Sequence, residues 1–289
     1  LTDLAGNVFY KDLAGRLVDR TPPEVVSSNV APQVANKDTD TISVSFAFNE
    51  TMTPLINSDV VVNPPSILPA HSCLSSDDRN YSCTINMTGT GSEVDGTFSF
   101  TVRGRDEHGN LMGGYENLGS VTVDRTDPVI TLDSVIPTTV NSSTANATII
   151  FTLSETPLNN PVVKLGTTKQ SSVPTGVSGL QYTYVFSDLA GITDGEKTIN
   201  ISLKDQKGNA VSEDFEGPFF DRTAPEVMNG SVNPSTVNAL NDIVSVNMTF
   251  SEKITGISSA NIVVSSTKTL PVPVCSNIGG DSQTFKCVY

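Results

Sequence analysis

The chain has 289 residues and a formal net charge of −14, and it contains no tryptophan. The excess of Asp and Glu argues against nucleic acid and anionic membrane surfaces as partners. No segment approaches the roughly 18 consecutive apolar residues that cross a bilayer. The composition therefore predicts no membrane insertion within this segment.

Three sequence phrases recur at nearly constant spacing and divide the chain into tandem units. They are Asp-Arg-Thr-x-Pro from Asp19, Asp124 and Asp221, Asp-x-x-Gly-Asn from Asp3, Asp106 and Asp205, and an alternating segment closed by Glu50, Glu155 and Glu252. Consecutive copies of the first phrase are 105 and 97 residues apart. This period predicts two complete domains of about 100 residues, 19–123 (the first repeat) and 124–220 (the second repeat).

The ends of the sequence match only parts of a repeat. Residues 1–18 correspond to the C-terminal piece of a preceding repeat, from its Asp-x-x-Gly-Asn turn to its final strand. Residues 221–289 correspond to the N-terminal two thirds of another copy, the third repeat. We therefore expect the sequence to be a window on a longer polypeptide.

Within each repeat, apolar and polar residues alternate along short segments. In chain order the clearest segments are 42–48, 98–102, 199–203 and 244–250. A period of two indicates strands with one packed face and one wet face, and clusters of Gly, Pro and Asn separate them. Six or seven such strands per repeat predict an all-β fold of two-sheet sandwiches.

An alternating strand that leads into Asp-x-x-Gly-Asn, a short strand and Val-Asp-x-Thr-x-Pro resembles the bacterial immunoglobulin-like repeats of giant surface adhesins and other extracellular fibres. The matching stretches are 102–129 and 201–227. The resemblance implies a linear array of immunoglobulin-like β-sandwich domains and an extracellular, cell-surface location. It says less about function, because such sandwiches carry many activities.

The four cysteines form two pairs at equivalent positions, Cys73 with Cys83 and Cys275 with Cys287. Each pair begins 23 residues after the Glu that closes the early strand, whereas the second repeat has Tyr184 where Cys83 would be. This equivalence predicts local disulfides, each contributing roughly 2–3 kcal/mol and indicating an oxidising compartment. The alternatives are free buried thiols or a metal site, although neither pair has zinc-type spacing.

Eight Asn-x-Ser/Thr acceptors are candidate N-glycosylation sites: Asn49, Asn80, Asn86, Asn141, Asn146, Asn200, Asn229 and Asn247. The strand phase predicts that Asn80, Asn86, Asn200 and Asn247 point to solvent. The alternative is that these residues are ordinary polar surface residues that carry no sugar. Which of the two holds depends on the source of the protein.

The strongest chemical pattern predicts carboxylate clusters where one repeat joins the next. In an immunoglobulin-like unit, the Glu that closes the early strand and the Asp-x-x-Gly-Asn turn meet at the end where the linker Asp arrives. The expected clusters are Asp19 with Glu50 and Asp106, Asp124 with Glu155 and Asp205, and Asp221 with Glu252. Gathered carboxylates require a counter-charge, and calcium accepts several oxygen ligands in flexible geometry. The resemblance to adhesin repeats likewise implies calcium at these joints.

Two other interpretations of the clusters remain open at the level of sequence. Each linker carries an Arg after its Asp (Arg20, Arg125 and Arg222), and a guanidinium could neutralise the carboxylates through paired hydrogen bonds. Alternatively, Asp and Gly-Asn serve only the geometry of turns.

The sequence offers little for catalysis. The two histidines, His71 and His108, lie in polar loops of a single repeat, and no nucleophile–base arrangement, phosphate loop or zinc spacing is present. The sequence therefore predicts a non-enzymatic stalk or fibre segment, with neighbouring repeats and further copies of itself as partners. The alternatives are a module that binds a glycan or protein through its end loops, and accessory domains of a secreted enzyme.

Overall fold

A computed structural model of the chain describes residues 2–8, 10, 15, 18–64, 68–91, 94–237, 243–263 and 271–289. The strand expected near the end of residues 1–18 lies largely outside these residues. The chain divides into two compact units. The first comprises Leu1–Pro137, Asn146–Ile192 and Lys197–Pro218, and the second comprises Thr138–Ala145, Thr193–Glu196 and Phe219–Tyr289.

The strands of the first repeat form two four-stranded sheets. They are β1 (Val25–Ala31), β2 (Val34–Ala35), β3 (Thr41–Phe48), β4 (Val60–Asn63), β5 (His71–Ser75), β6 (Asn80–Asn86), β7 (Gly96–Val102) and β8 (Glu116–Val123). One sheet has the order β1-β3-β6-β5 and the other the order β2-β8-β7-β4. The short β2 pairs in parallel with β8, and the other pairs are antiparallel. This distribution of strands defines an immunoglobulin-like sandwich.

The second repeat has the same strand order with one additional strand. Its strands are β9 (Ile130–Ile136), β10 (Thr139–Val140), β11 (Ala147–Leu153), β12 (Val162–Leu165), β13 (Lys169–Ser171), β14 (Gly176–Ser178), β15 (Gln181–Phe186), β16 (Gly195–Lys204) and β17 (Ala210–Phe220). The sheets are β14-β15-β11-β9 and β10-β17-β16-β12-β13. The additional strand β13 extends the second of these sheets.

The described part of the third repeat forms one sheet, ordered β18-β19-β21-β20. Its strands are β18 (Val227–Asn233), β19 (Ser245–Phe250), β20 (Val274–Asn277) and β21 (Thr284–Val288). Short 3₁₀ turns occur at Asn57–Asp59 in the first repeat and at Ser259–Asn261 in the third. Among the described residues, no helix has the length and apolar character of a membrane span.

The alternating sequence pattern produces the core directly. Along β3, Ile42, Val44, Phe46 and Phe48 are all buried, whereas Ser45 between them is exposed. The same alternation buries Phe98 and Phe100 of β7 and, in the second repeat, Phe151 and Tyr184. The prediction of an all-β, immunoglobulin-like fold is confirmed.

Candidate metal centre at the carboxylate clusters

Each Asp-x-x-Gly-Asn phrase folds into the same hydrogen-bonded turn. In the second repeat, Asp205 Oδ1 accepts the N–H groups of Lys207, Gly208 and Asn209 at 2.6–2.9 Å, and Asp205 Oδ2 accepts the Asn209 amide at 2.7 Å. Equivalent bonds hold the turns that begin at Asp3 and Asp106. The Gly has φ of +87°, +92° and +98° in the three copies, a conformation that side chains disfavour. The turn thus fixes the orientation of its Asp.

The fold brings two of the expected carboxylate clusters together, both in the first compact unit. In the cluster Asp19–Glu50–Asp106 and in the cluster Asp124–Glu155–Asp205, one ligand oxygen from each residue lies within 4.8 Å of the others. Isolated β-bridges, Met52 with Asp106 and Pro157 with Asp205, bring the segment after each Glu to the turn. The two turn aspartates are fully buried and the other four residues are half-buried.

Mutual repulsion is built into both clusters. Burial, followed by the charges of Asp205 and Asp124, raises the pKa of Glu155, and burial with the charges of Asp106 and Asp19 raises the pKa of Glu50. Burial is also the largest cause that raises the pKa of Asp124. A carboxylate that is harder to ionise in the folded protein favours a proton or a cation beside it.

The guanidinium of Arg125 does not neutralise the second cluster through its hydrogen bonds. Its Nε donates to the carbonyl of Thr90 at 3.0 Å, Nη1 to Asn36 at 2.8 Å and Thr39 at 3.1 Å, and Nη2 to Lys37 at 2.9 Å. Four of its five N–H donors therefore bind main-chain oxygens of the first repeat. The alternative expected from the sequence, in which Arg125 pairs with the cluster carboxylates, is wrong at this joint because nearby loops present carbonyls that the guanidinium satisfies.

An aspartate missed at the level of sequence holds the linker to the repeat that precedes it. Asp95 Oδ1 accepts the N–H of Arg125 at 2.6 Å, and Asp95 Oδ2 accepts the hydroxyl of Thr126 at 2.5 Å. Asp194 binds the next linker in the same way, and the N–H and hydroxyl donors lower its pKa, the Thr223 hydroxyl most strongly. An Asp-Gly pair repeated at 95 and 194 is the signal that could have revealed this role.

The remaining residues of the predicted joints occupy corresponding places in the fold. Asp221 follows β17 directly and its N–H donates to the carbonyl of Val140, as that of Asp124 donates to Ala35. Glu252 lies two residues after β19 and is half-buried. His108 places Nδ1 3.4 Å from Asp19 Oδ2 in the first cluster.

Both disulfides form as the spacing predicts. Cys73 pairs with Cys83 across β5 and β6, and Cys275 pairs with Cys287 across β20 and β21. In the second repeat, the buried hydroxyl of Tyr184 donates to the carbonyl of Pro161. Disulfides indicate an oxidising compartment outside the cytosol.

The candidate glycosylation sites differ in exposure. Asn49, Asn80, Asn86, Asn141, Asn146 and Asn229 are exposed. Asn200 keeps the outward phase that the sequence predicts, between the buried Ile199 and Ile201, although it is half-buried. The Asn200 amide donates to Ser212 and Asp214 on the neighbouring strand. The expectation that Asn247 points to solvent is wrong, since this residue is half-buried and its side-chain oxygen is enclosed.

No family model matches the chain, and no curated protein matches it. Among solved structures, it is similar to a Ca²⁺-stabilised adhesin with which an Antarctic bacterium binds ice, at 18% identity and a TM-score of 0.43. That match covers 86% of this chain and 63% of the adhesin chain, so the chain spans less than two thirds of that relative.

Two further solved structures have comparable similarity. One is a 1.5-MDa bacterial ice-binding adhesin, at 12% identity and a TM-score of 0.41, covering 94% of this chain and 88% of the other. The second is a marsupial T cell receptor, at 10% identity and a TM-score of 0.41, covering 92% of each chain. The immunoglobulin-like fold of this chain is defined by its own strand order.

Proposed function

We propose that this chain is a stalk segment of an extracellular, cell-surface protein of the adhesin class, with domains at 19–123, 124–220 and 221–289. It acts by span and by the stiffness of its joints, and calcium bound at the carboxylate clusters supplies part of that stiffness. The observation that carries the proposal is the convergence of linker, early-strand and turn carboxylates in two consecutive repeats. Identical chemistry once per repeat is typical of a structural element.

The residues of the clusters fit a calcium ion. All their ligand atoms are carboxylate oxygens, which hard divalent cations prefer, and calcium tolerates irregular arrangements of such ligands. Glu50 Oε1 is shielded from solvent and has no hydrogen-bond partner among the described residues, which leaves its lone pairs for a cation. When bound, calcium would supply the positive charge that offsets the repulsion raising the pKa of Glu50 and Glu155.

The contacts around the second cluster explain how an ion would stiffen the linker. Asp95 and Arg125 tie the linker to the first repeat, whereas Glu155 and Asp205 belong to the second. Asp124 stands between these two sets of contacts. An ion shared by Asp124, Glu155 and Asp205 would therefore hold the second repeat to a linker that is already fixed on its other side.

Calorimetric titration of the chain with calcium tests this proposal. We expect calcium to bind at both complete clusters with dissociation constants of about 10⁻⁴–10⁻³ M, as in extracellular calcium modules. Asp124→Asn should remove one site, because it deletes a ligand charge while keeping the shape of the side chain. Asp133→Asn, which removes the same charge from β9, should leave both sites intact. Absence of calcium binding, or equal titrations for the two variants, would contradict the proposal.

A further inference from the structure

We infer that consecutive repeats are also joined by a latch that needs no metal, in which the loop Asn36–Thr39 is a docking surface for the Asp-x-x-Gly-Asn turn of the following repeat. We call these parts the latch loop and the latch turn. The inference rests on the proposed stalk function and adds a second source of joint stiffness, which shares the turn of Asp205 with the proposed calcium site but uses other contacts.

Three hydrogen bonds connect the latch loop to the turn of the second repeat. Asn36 Nδ2 donates to the carbonyl of Lys207 at 3.1 Å, the N–H of Lys37 donates to Asn209 Oδ1 at 2.9 Å, and Lys37 Nζ donates to the carbonyl of Ala210 at 2.8 Å. All five residues belong to the first compact unit. The latch loop recognises two main-chain oxygens and the side chain of Asn209, the last residue of the turn motif.

The latch also contacts the linker. Asn209 Nδ2 donates to the carbonyl of Asp124 at 2.9 Å, and Lys37 Nζ pairs with Asp127. Lys37 therefore binds the linker and the following repeat at the same time. None of these contacts requires an ion.

The latch loop approaches the glycine of the turn closely. Gly208 has φ of +98°, and a Cβ at this position would lie 2.9 Å from Asn36 Nδ2. At the corresponding Gly109, with φ of +92°, a Cβ would meet no atom within 4 Å. Gly208 thus serves both turn conformation and docking, whereas Gly109 shows the conformational requirement alone.

The second repeat contains a loop of the same construction. In the latch loop, the N–H of Asn36 donates to Thr39 Oγ1, and Asn36 Oδ1 accepts from Asp38 and Thr39. Asn141 makes the corresponding bonds with Ser143 and Thr144. The loop Asn141–Thr144 is therefore formed in the same way beside the Asp221 linker, whose N–H donates to the carbonyl of the adjoining Val140.

Amide hydrogen exchange of Lys37, measured by NMR on the whole chain in excess chelator, tests the latch. We expect the Lys37 N–H to be protected without calcium. Gly208→Ala should accelerate its exchange by about fivefold or more, since at least one net hydrogen bond is lost. Gly109→Ala introduces the same backbone strain as Gly208→Ala but does not approach Asn36, so it should leave the Lys37 N–H protected.

A second pair of variants avoids strain in the turn. Asn36→Asp keeps Oδ1 for the bonds inside the loop but replaces the amide that donates to Lys207, and it should also accelerate exchange at Lys37. Asn141→Asp makes the same change in the loop Asn141–Thr144 and should leave the exchange rate of the Lys37 N–H unchanged. An unprotected Lys37 in chelator, or equal rates within either pair, would overturn the latch. Protection without calcium binding would instead refute only the calcium proposal.

Discussion

Arg125→Ala tests which contacts hold the joint between the first and second repeats. The guanidinium donates four hydrogen bonds of 2.8–3.1 Å to the carbonyls of Thr90, Asn36, Thr39 and Lys37. At about 1.5–3 kcal/mol net for each bond from a charged donor, the four together would contribute roughly 6–12 kcal/mol if they were fully buried. We expect a loss well below this sum, about 2–3 kcal/mol, because these oxygens are only partly buried and water can replace the donor.

The assay for Arg125→Ala is hydrogen exchange of the peptides that contain β3 and β6, which report local unfolding of the first repeat. A local measurement is needed because tandem domains have no single free energy of unfolding. Arg105→Ala is the control, since Arg105 donates from an exposed position to the carbonyl of Gly109. Equal exchange in the two variants would refute the reasoning. So would a large rise in calcium affinity for Arg125→Ala, which is expected only if the guanidinium competes with calcium for the carboxylates.

Two further predictions concern pH and the disulfides. Because the folded-state pKa values of Glu50, Asp124 and Glu155 are raised, these three groups bind more protons in the folded chain than in the unfolded chain, and their contribution to stability falls as the pH rises through those values. Asp106, whose pKa is lowered by the hydrogen bonds of its turn, acts in the opposite direction only below the ordinary range of an aspartate. In chelator, acidification from pH 7 to about 5 should therefore raise the melting temperature of the joint region, whereas in calcium it should lower it by displacing the ion. If acidification changed the melting temperature in the same direction in chelator and in calcium, the proposed calcium sites at these carboxylates would be contradicted. Replacing Cys73 and Cys83 together by Ser should destabilise the first repeat by roughly 2–3 kcal/mol. Exchange should then accelerate in β6, while β15, its counterpart without a disulfide, serves as the internal control. Unchanged exchange in β6 would show that the bridge contributes nothing to that strand.

Several features followed from the sequence because they depend on local pattern and on equivalence between repeats. Alternation along 42–48 predicted which side chains of β3 enter the core, since successive side chains of a strand face opposite sides. Equal distances from Glu50 and Glu252 predicted the two cysteine pairs. The strand order of an immunoglobulin-like unit predicted that Asp124, Glu155 and Asp205 would meet. Whether calcium binds them stays a prediction.

Other features were decided only by the tertiary structure, because they depend on which groups face one another across a loop. Arg125 follows the linker Asp in sequence, yet its guanidinium binds carbonyls contributed by residues 36–39 and by Thr90. Main-chain acceptors leave no mark in a sequence, so the choice between these oxygens and the carboxylates could not be made there. The contact between Gly208 and Asn36 is of the same kind: sequence indicates a glycine turn, and only folding shows what the missing side chain makes room for.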